Sequence, residues 1–444
     1  MNHRHVCSAL VAVKPGAVAC IFFCIEISEL KLNTTLNKNI IYLGLVQGSS
    51  YILPLITFPY LVRVLGPEFF GVLGFCQASM QYLVLITDYG FNWTATQQIA
   101  KHRDNKLKIN EIFWSVIFAK IFLASISFIL LFVICWNVPK YHDVWYVLLS
   151  FSPFLLGNVI YPIWFFQGME KMKAITVCTI SARFLLIPLT FLLVHNSDDI
   201  WIAAIIQSSV NLLAGILSCC LIFKYRWISG FEFNLIKVKE SICEGWHVFI
   251  STSAISLYTT STTVILGFVA GNTAVGYFNA ANTVRNAAQG LLNPVTQAIY
   301  PRVSALYEID YVKALNLIKK MLRYIGGIAF LGSVILFFLA PVIIKYGLGD
   351  SYNNAVSILR WMAFLPFIIL LSNIFGVQTM LTHGYKKQFS NILTVSGVLN
   401  LCIIYPLVCL YSADGAAIAM LITEIFVSFT MFCFLKNKKI NIFK

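Results

Sequence analysis

The sequence predicts an all-α integral membrane protein of about twelve transmembrane helices, arranged as two six-helix lobes related by a pseudo-twofold axis. Three observations predict it. Of 444 residues, 59% are hydrophobic and 11% charged, against roughly 25% charged in soluble domains. Lys and Arg crowd alternate loops along the chain, and two segments 205 residues apart repeat one glycine and polar pattern. With a mean hydropathy of +0.80, the composition argues against a soluble enzyme, a disordered chain and a disulfide scaffold. The twelve cysteines lie mostly inside apolar runs, where Cys packs as a small hydrophobe. Their spacing matches no zinc pattern, so neither metal nor cofactor is expected.

A membrane helix needs roughly 20 apolar residues. Apolar runs between charge clusters place spans at 40–63, 72–93, 112–136, 144–167, 174–194, 200–223, 246–269, 276–299, 324–346, 354–378, 389–410 and 414–435. An N-lobe is expected over 38–223, a C-lobe over 246–436 and a basic tail over 437–444. Residues 1–37 are expected to be an extension, disordered or a mis-set start, since their longest uncharged apolar run, 16–25, is too short to cross. In the linker 224–245, Phe231, Leu235, Ile236, Val238 and Ile242 recur at helical spacing among cations, which predicts a cytoplasmic amphipathic helix. Residues 302–323 repeat the pattern (Leu315, Ile318, Met321, Leu322) and fit an interfacial helix or a continued membrane helix equally well.

Cytoplasmic loops retain Lys and Arg. Twenty-five of the 32 cations fall on one side, three (Arg63, Lys140, Lys345) on the other, and four (Lys120, Arg183, Arg285, Arg360) within spans. Both termini are therefore expected in the cytoplasm. The net charge of +14 is then a topology signal that also suits anionic lipid headgroups, and no nucleic-acid partner is needed. The opposite loops are short and acidic (Glu68, Asp143, Asp198, Asp199, Asp350, Asp414).

Gly66 and Gly71 open the second span, and Gly271 and Gly276 open the eighth. At the same offset, Gln77, Gln81, Val84, Asp88 and Asn92 match Asn282, Asn286, Gln289, Asn293 and Gln297. Spacings of three and four put each set on one helical face. Polar groups facing lipid are costly, so these rows face a bundle interior or a water-filled cavity; packing the two halves together is the plainer alternative. Pro54 and Pro59 in the first span remove backbone donors and bend a helix, which marks them as a gate. The seventh span is rich in hydroxyls between 251 and 263.

Arg285 flanks the second polar row. A buried cation needs an anion or water, and few acids lie within the spans, chiefly Asp88 and Glu424. A hydrated cationic cavity favours an anionic phosphate or pyrophosphate head, which the planar Arg fork can grip with two bonds. Arg285 leads the substrate-binding set, with Asn282, Asn286, Gln289, Gln77, Gln81, Arg63, Lys120, Arg183 and Arg360. For Arg63, snorkelling to the surface is the alternative. Asp88 is either an ion-coupling carboxylate or a partner for Lys or Arg. Glu424 is the second coupling candidate, with pairing to Arg360 as its alternative.

The runs Asn39-Ile-Ile-Tyr-Leu, Leu53-Pro-Leu-Ile-Thr-Phe-Pro-Tyr-Leu-Val-Arg63, Leu65-Gly-Pro-Glu-Phe-Phe-Gly71, Asp88-Tyr-Gly-Phe-Asn92 and Gly276-Tyr-Phe-Asn-Ala-Ala281 resemble those of Wzx-type O-antigen flippases. These belong to the polysaccharide transport family of the MATE-like exporter superfamily, and the likeness spans about 38–436. It implies a MATE-like fold with a central, often cationic cavity in the bacterial inner membrane. It also implies a substrate of undecaprenyl-pyrophosphate-linked oligosaccharide, moved from the cytoplasmic to the periplasmic leaflet with ion antiport, and places Arg285 near the pyrophosphate. Polysaccharide polymerase and chain-length proteins would be partners. Two rivals remain. A drug or cation exporter of this fold would want acidic cavity residues, and a membrane polymerase would need a sizeable outer loop and a catalytic cluster.

Overall fold

The computed structural model describes residues 34–228 and 230–440, with side chains from residue 53 onward at all but a few helical positions. The proposed extension up to residue 33 and the end of the basic tail lie outside the described residues. All regular structure among the described residues is helical. In chain order the helices are α1 (Thr34–Asp88), α2 (Phe91–Lys101), α3 (Lys106–Asn137), α4 (Trp145–Gly168, in three short pieces), α5 (Met172–Leu193), α6 (Ile200–Lys224), α7 (Leu235–Ala270), α8 (Asn272–Ile309), α9 (Tyr311–Val342), α10 (Ala355–Leu381) and α11 (Lys386–Asn437).

Among the described residues, eight stretches are long and apolar enough to cross a membrane. Two of them, Leu53–Lys101 and Lys386–Asn437, each hold two of the expected spans, because α1 and α11 turn back at a single non-helical residue, Gly66 and Ser412. Expected spans seven and eight coincide with α7 and α8.

The repeat is written into the backbone. Gly66 (φ 69°, ψ 175°) and Gly271 (φ 86°, ψ 176°) adopt one left-handed extended conformation, 205 residues apart, which a Cβ disfavours. The same offset relates Asn105 to Asp310, which cap α3 and α9 by accepting from the backbone N–H of Lys108 and Lys313. Such caps satisfy N–H groups that a helix start leaves orphaned. Helices α3 and α9 are then 32 residues each. Beyond them the offset grows to 214, as the left-handed residues Glu170 and Gly384 ahead of α5 and α11 show. The second half takes up its extra length in the π-helical turns Ile343–Leu348 and Asn373–Leu381.

The structure bears on three expectations. Helical dihedrals run unbroken through Pro54 and Pro59, and the break falls at Gly66; the lost proline donors are tolerated within one continuous helix. Of the expected linker helix 224–245, the part from Leu235 is helical as the start of α7, and the described residues of 225–234 are not. They run as a strap along α3, where Trp114 Nε1 donates to Gly230 O (2.6 Å), Asn110 Nδ2 donates to Glu232 (2.9 Å), and Phe231 and Phe233 pack on Trp114 and Phe118. Helix α7 starts directly after the strap, under the Asn234 cap. Around 302–323 the continued-helix alternative is the one found, since the single residue Asp310 separates α8 from α9.

Candidate functional site

The two halves meet most closely where α8 crosses the part of α1 that follows Gly66. A Cβ on Gly71 would stand 1.8 Å from Asn272 O, and one on Gly276 would stand 1.9 Å from Pro67 O. The contact is reciprocal: Gly71 and Pro67 are the 205-offset counterparts of Gly276 and Asn272. Gly74 faces Asn279, its own counterpart, at 1.9 Å from the amide nitrogen, so the pseudo-twofold axis passes there. Small residues allow this backbone approach. Three and seven residues beyond Gly74, on the same face, Gln77 and Gln81 are exposed, and their counterparts Asn282 and Asn286 are half-buried. Beyond the glycine seam the amide side chains of the first half are thus more open to solvent than their counterparts in the second.

In the second half, Arg285 is only 7% exposed. Its Nη2 donates to Asn282 Oδ1, which ties it to the polar row. Glu424 on α11 lies within electrostatic reach of Arg285. Further along α8, Gln289 Nε2 donates to Asn293 Oδ1 (3.3 Å). The pairing of Glu424 with Arg360 is not formed. Arg360 is exposed and stands over the Phe337 ring at 5.5 Å, because its helix position faces away from α11's buried side.

In the first half, Lys120 and Asp88 come together. Lys120 is 1% exposed, and its Nζ donates to Asp88 Oδ1 (3.0 Å) and Asn158 O (3.2 Å). Asn92 Nδ2 lies 2.9 Å from both Asp88 oxygens. The carboxylate is thus held by a lysine and an amide, as a charge at this depth requires. Arg183 stands half-buried beside Tyr161, whose hydroxyl meets Thr179 at 2.6 Å. Arg63 is exposed, and its Nη2 donates to Tyr346 O, so it bridges the halves next to the seam.

The model of the family described as polysaccharide biosynthesis protein matches residues 36–307. A protein of Escherichia coli (strain K12) named as an O-antigen transporter is 52% identical over 406 residues, 91% of this chain and 98% of that protein. The chain belongs to the polysaccharide biosynthesis protein family. A Shigella dysenteriae protein of the same name is 35% identical over 88% of this chain and 98% of its own. The fold is MATE-like. It is similar to lipid II flippase MurJ in its inward closed conformation (TM-score 0.72, 14% identity, 89% of this chain and 87% of that one). It is also similar to a multidrug resistance MATE transporter facing inward (TM-score 0.68, 12% identity, 90% and 98%). The chain is a multi-pass membrane protein of this family, and its Escherichia coli and Shigella dysenteriae relatives are both named as transporters.

Sequence reasoning placed the glycine pairs and both polar rows on facing helices, and it grouped Arg285 with Asn282. It missed Asn158, which completes the Lys120 cluster from 38 residues away. It also missed Trp361 and Tyr411, which line a surface cleft with Asp414. No helical periodicity links such distant positions, so only folding brings them together.

Proposed function

We propose that this transporter moves undecaprenyl-pyrophosphate-linked O-antigen or related polysaccharide repeat units from the cytoplasmic to the periplasmic leaflet of the bacterial inner membrane by alternating access. One observation carries the reading. Beyond the glycine-tight seam Gln77 and Gln81 stay exposed, with Asn282 and Asn286 half-buried at the matching positions, and these matched amides support a polar path between the halves. A sugar-phosphate head can be solvated by these amides while its polyprenyl tail stays in lipid. The relatives' names support a polysaccharide substrate, and the resemblance to a flippase of lipid-linked saccharide supports the mode of transport.

In this reading Arg285 supplies the cation for the pyrophosphate, with Asn282 joining it to the polar row. Asn286, Gln289, Gln77 and Gln81 solvate the head group, and Arg63, Lys120, Arg183 and Arg360 are the remaining cationic candidates. Asp88 and Glu424 are the candidate coupling carboxylates, and the helix carrying Pro54 and Pro59 is the candidate gate. The test is deletion in a producing host with a leaflet-resolved assay of the lipid-linked unit. Loss of the protein traps the unit in the cytoplasmic leaflet. Arg285→Ala lowers the flux by about tenfold or more, the scale of one lost charge-assisted contact, with the protein still folded. Full flux in Arg285→Ala would defeat the assigned anion role; release of unpolymerised single units from the deletion strain would point to a polymerase.

A further inference from the structure

A second polar feature lies away from the seam, on the second half. A cleft of about 560 Å³ is lined by Ser357 and Trp361 of α10 and by Leu407, Tyr411, Asp414 and Ile418 of α11. The chain builds it with two unusual residues. Ser412 takes a left-handed conformation (φ 52°) that turns α11 back on itself. Gly415 then packs against the preceding strand of the helix, where a Cβ would come within 2.0 Å of Leu407 O. The tight reversal carries Asp414 to the wall of the cleft beside Ser357. The Asp414 carboxylate is met by the Ser357 hydroxyl, while its Oδ1 is shielded from solvent and has no hydrogen-bond partner of its own among the described residues. A buried acceptor of this kind is expensive to leave unpaired.

The walls are aromatic and accessible, with Trp361 45% and Tyr411 57% exposed. Exposed aromatic faces around one anionic acceptor suit a ligand with apolar C–H faces and hydroxyl donors on its rim. A pyranose ring is such a ligand. A lipid phosphate is not, because Asp414 would repel it. The volume falls within the roughly 300–1,000 Å³ of small-molecule sites. Position agrees as well: Asp414 and the start of α10 belong to the loops expected on the outer face, where a saccharide would emerge. At the 214 offset the first half carries Ser197, Ile200 and Ala204 in place of Tyr411, Asp414 and Ile418, and Ile200 is 1% exposed in the packed core. The cleft therefore belongs to one half alone.

We infer that this cleft is a saccharide-binding subsite on the outer rim, in which Trp361 and Tyr411 hold a pyranose ring and Asp414 accepts its hydroxyls. The inference rests on the transport reading above, since the ring would be part of the carried oligosaccharide. The probe is the free oligosaccharide released by mild acid from the host's own lipid-linked unit. Its binding to the full-length protein in phosphatidylethanolamine–phosphatidylglycerol nanodiscs is measured by calorimetry. The wild type is expected to bind, and Trp361→Ala and Asp414→Asn each to weaken binding about tenfold, as removal of an anchor does. Trp361→Phe, which keeps a ring and protects the fold, is expected to retain most of it. Absence of binding to the wild type, or equal binding by all variants, overturns the subsite. If that happens while the wild type still moves the lipid-linked unit, the subsite falls alone. If the wild type binds the saccharide but moves no lipid-linked unit, the transport reading falls and the cleft stands as a saccharide site.

Discussion

The two halves share a backbone to within a residue at their glycine turns and helix caps, yet they distribute charge differently. The first half pairs two of its membrane charges directly, Lys120 with Asp88, with Asn158 and Asn92 completing the cluster, while Arg183 stands apart beside Tyr161. At the 205 offset the second half has Ile325 and Asn293 in their places, so the scaffold stands without that pair. Conversely, Arg285 replaces Met80, a fully buried residue of the first half. One repeat thus spends its charge internally, and the other keeps a cation tied to the polar row. The difference teaches that the repeat fixes helix geometry, while single substitutions on it decide which half carries chemistry.

The sharpest way to break this comparison is to make the first half resemble the second. Lys120→Ile alone leaves Asp88 without its cation and is expected to cost about 3–5 kcal/mol, as removal of one partner from a buried pair does. Lys120→Ile with Asp88→Asn restores the combination that the second half tolerates and should recover more than half of that loss. Thermal unfolding of the purified protein checks both. Flux of the lipid-linked unit in the stable double variant then separates two roles. Retained flux means the pair is structural, whereas lost flux at recovered stability makes Asp88 a coupling carboxylate.

The glycine seam tests the symmetry itself. Gly71→Ala and Gly276→Ala each drive a methyl group into the opposing backbone carbonyl, so they should cost alike, about 3 kcal/mol, the upper end for overpacking. Gly74→Ala meets only the amide of the Asn279 side chain, which can swing aside, so it should cost about 1 kcal/mol. The ranking is read from unfolding midpoints. A mild Gly276→Ala beside a severe Gly71→Ala would show that the seam is not reciprocal.

Much of this was legible in the sequence, for identifiable reasons. Gly66 and Gly271 stand out because few other residues take their conformation, and the polar rows stand out because amides are rare within apolar helices. What was not legible depends on partners far apart in the chain. Lys120 lies 32 residues from Asp88, so no spacing rule could decide whether that carboxylate was free or paired. Arg285 reads as a cavity residue by periodicity, and only packing shows it buried beside Glu424. The strap at 225–234 misled for a different reason. Of the residues whose spacing predicted a helix, only Phe231 lies in the strap, against Trp114 and Phe118 of α3, while Leu235, Ile236, Val238 and Ile242 lie on α7.

The smallest expected effect concerns the turns that enter α5 and α11, where Met169 of the first half corresponds to His383 of the second at the 214 offset. His383 lies outside the spans, against Tyr307, Tyr311 and Tyr385, with Nδ1 on Thr379 O (2.7 Å). Burial lowers its pKa below the ordinary 6.5, while the bond to Thr379 opposes the shift. The folded turn therefore prefers the neutral ring. The unfolded chain binds the proton more readily, so the contribution is full above pH 6.5 and is lost as pH falls from there through the lowered folded value. The unfolding midpoint should drop by about 1–2 °C between pH 7.5 and pH 5 on this account, since a fraction of a kcal/mol moves a large protein little. His383→Met, which gives the second half the first half's residue, should remove that increment and leave the rest of the pH profile unchanged. An identical profile in the variant would mean that the ring titrates freely, and that the tyrosines around it pack against both charge states alike.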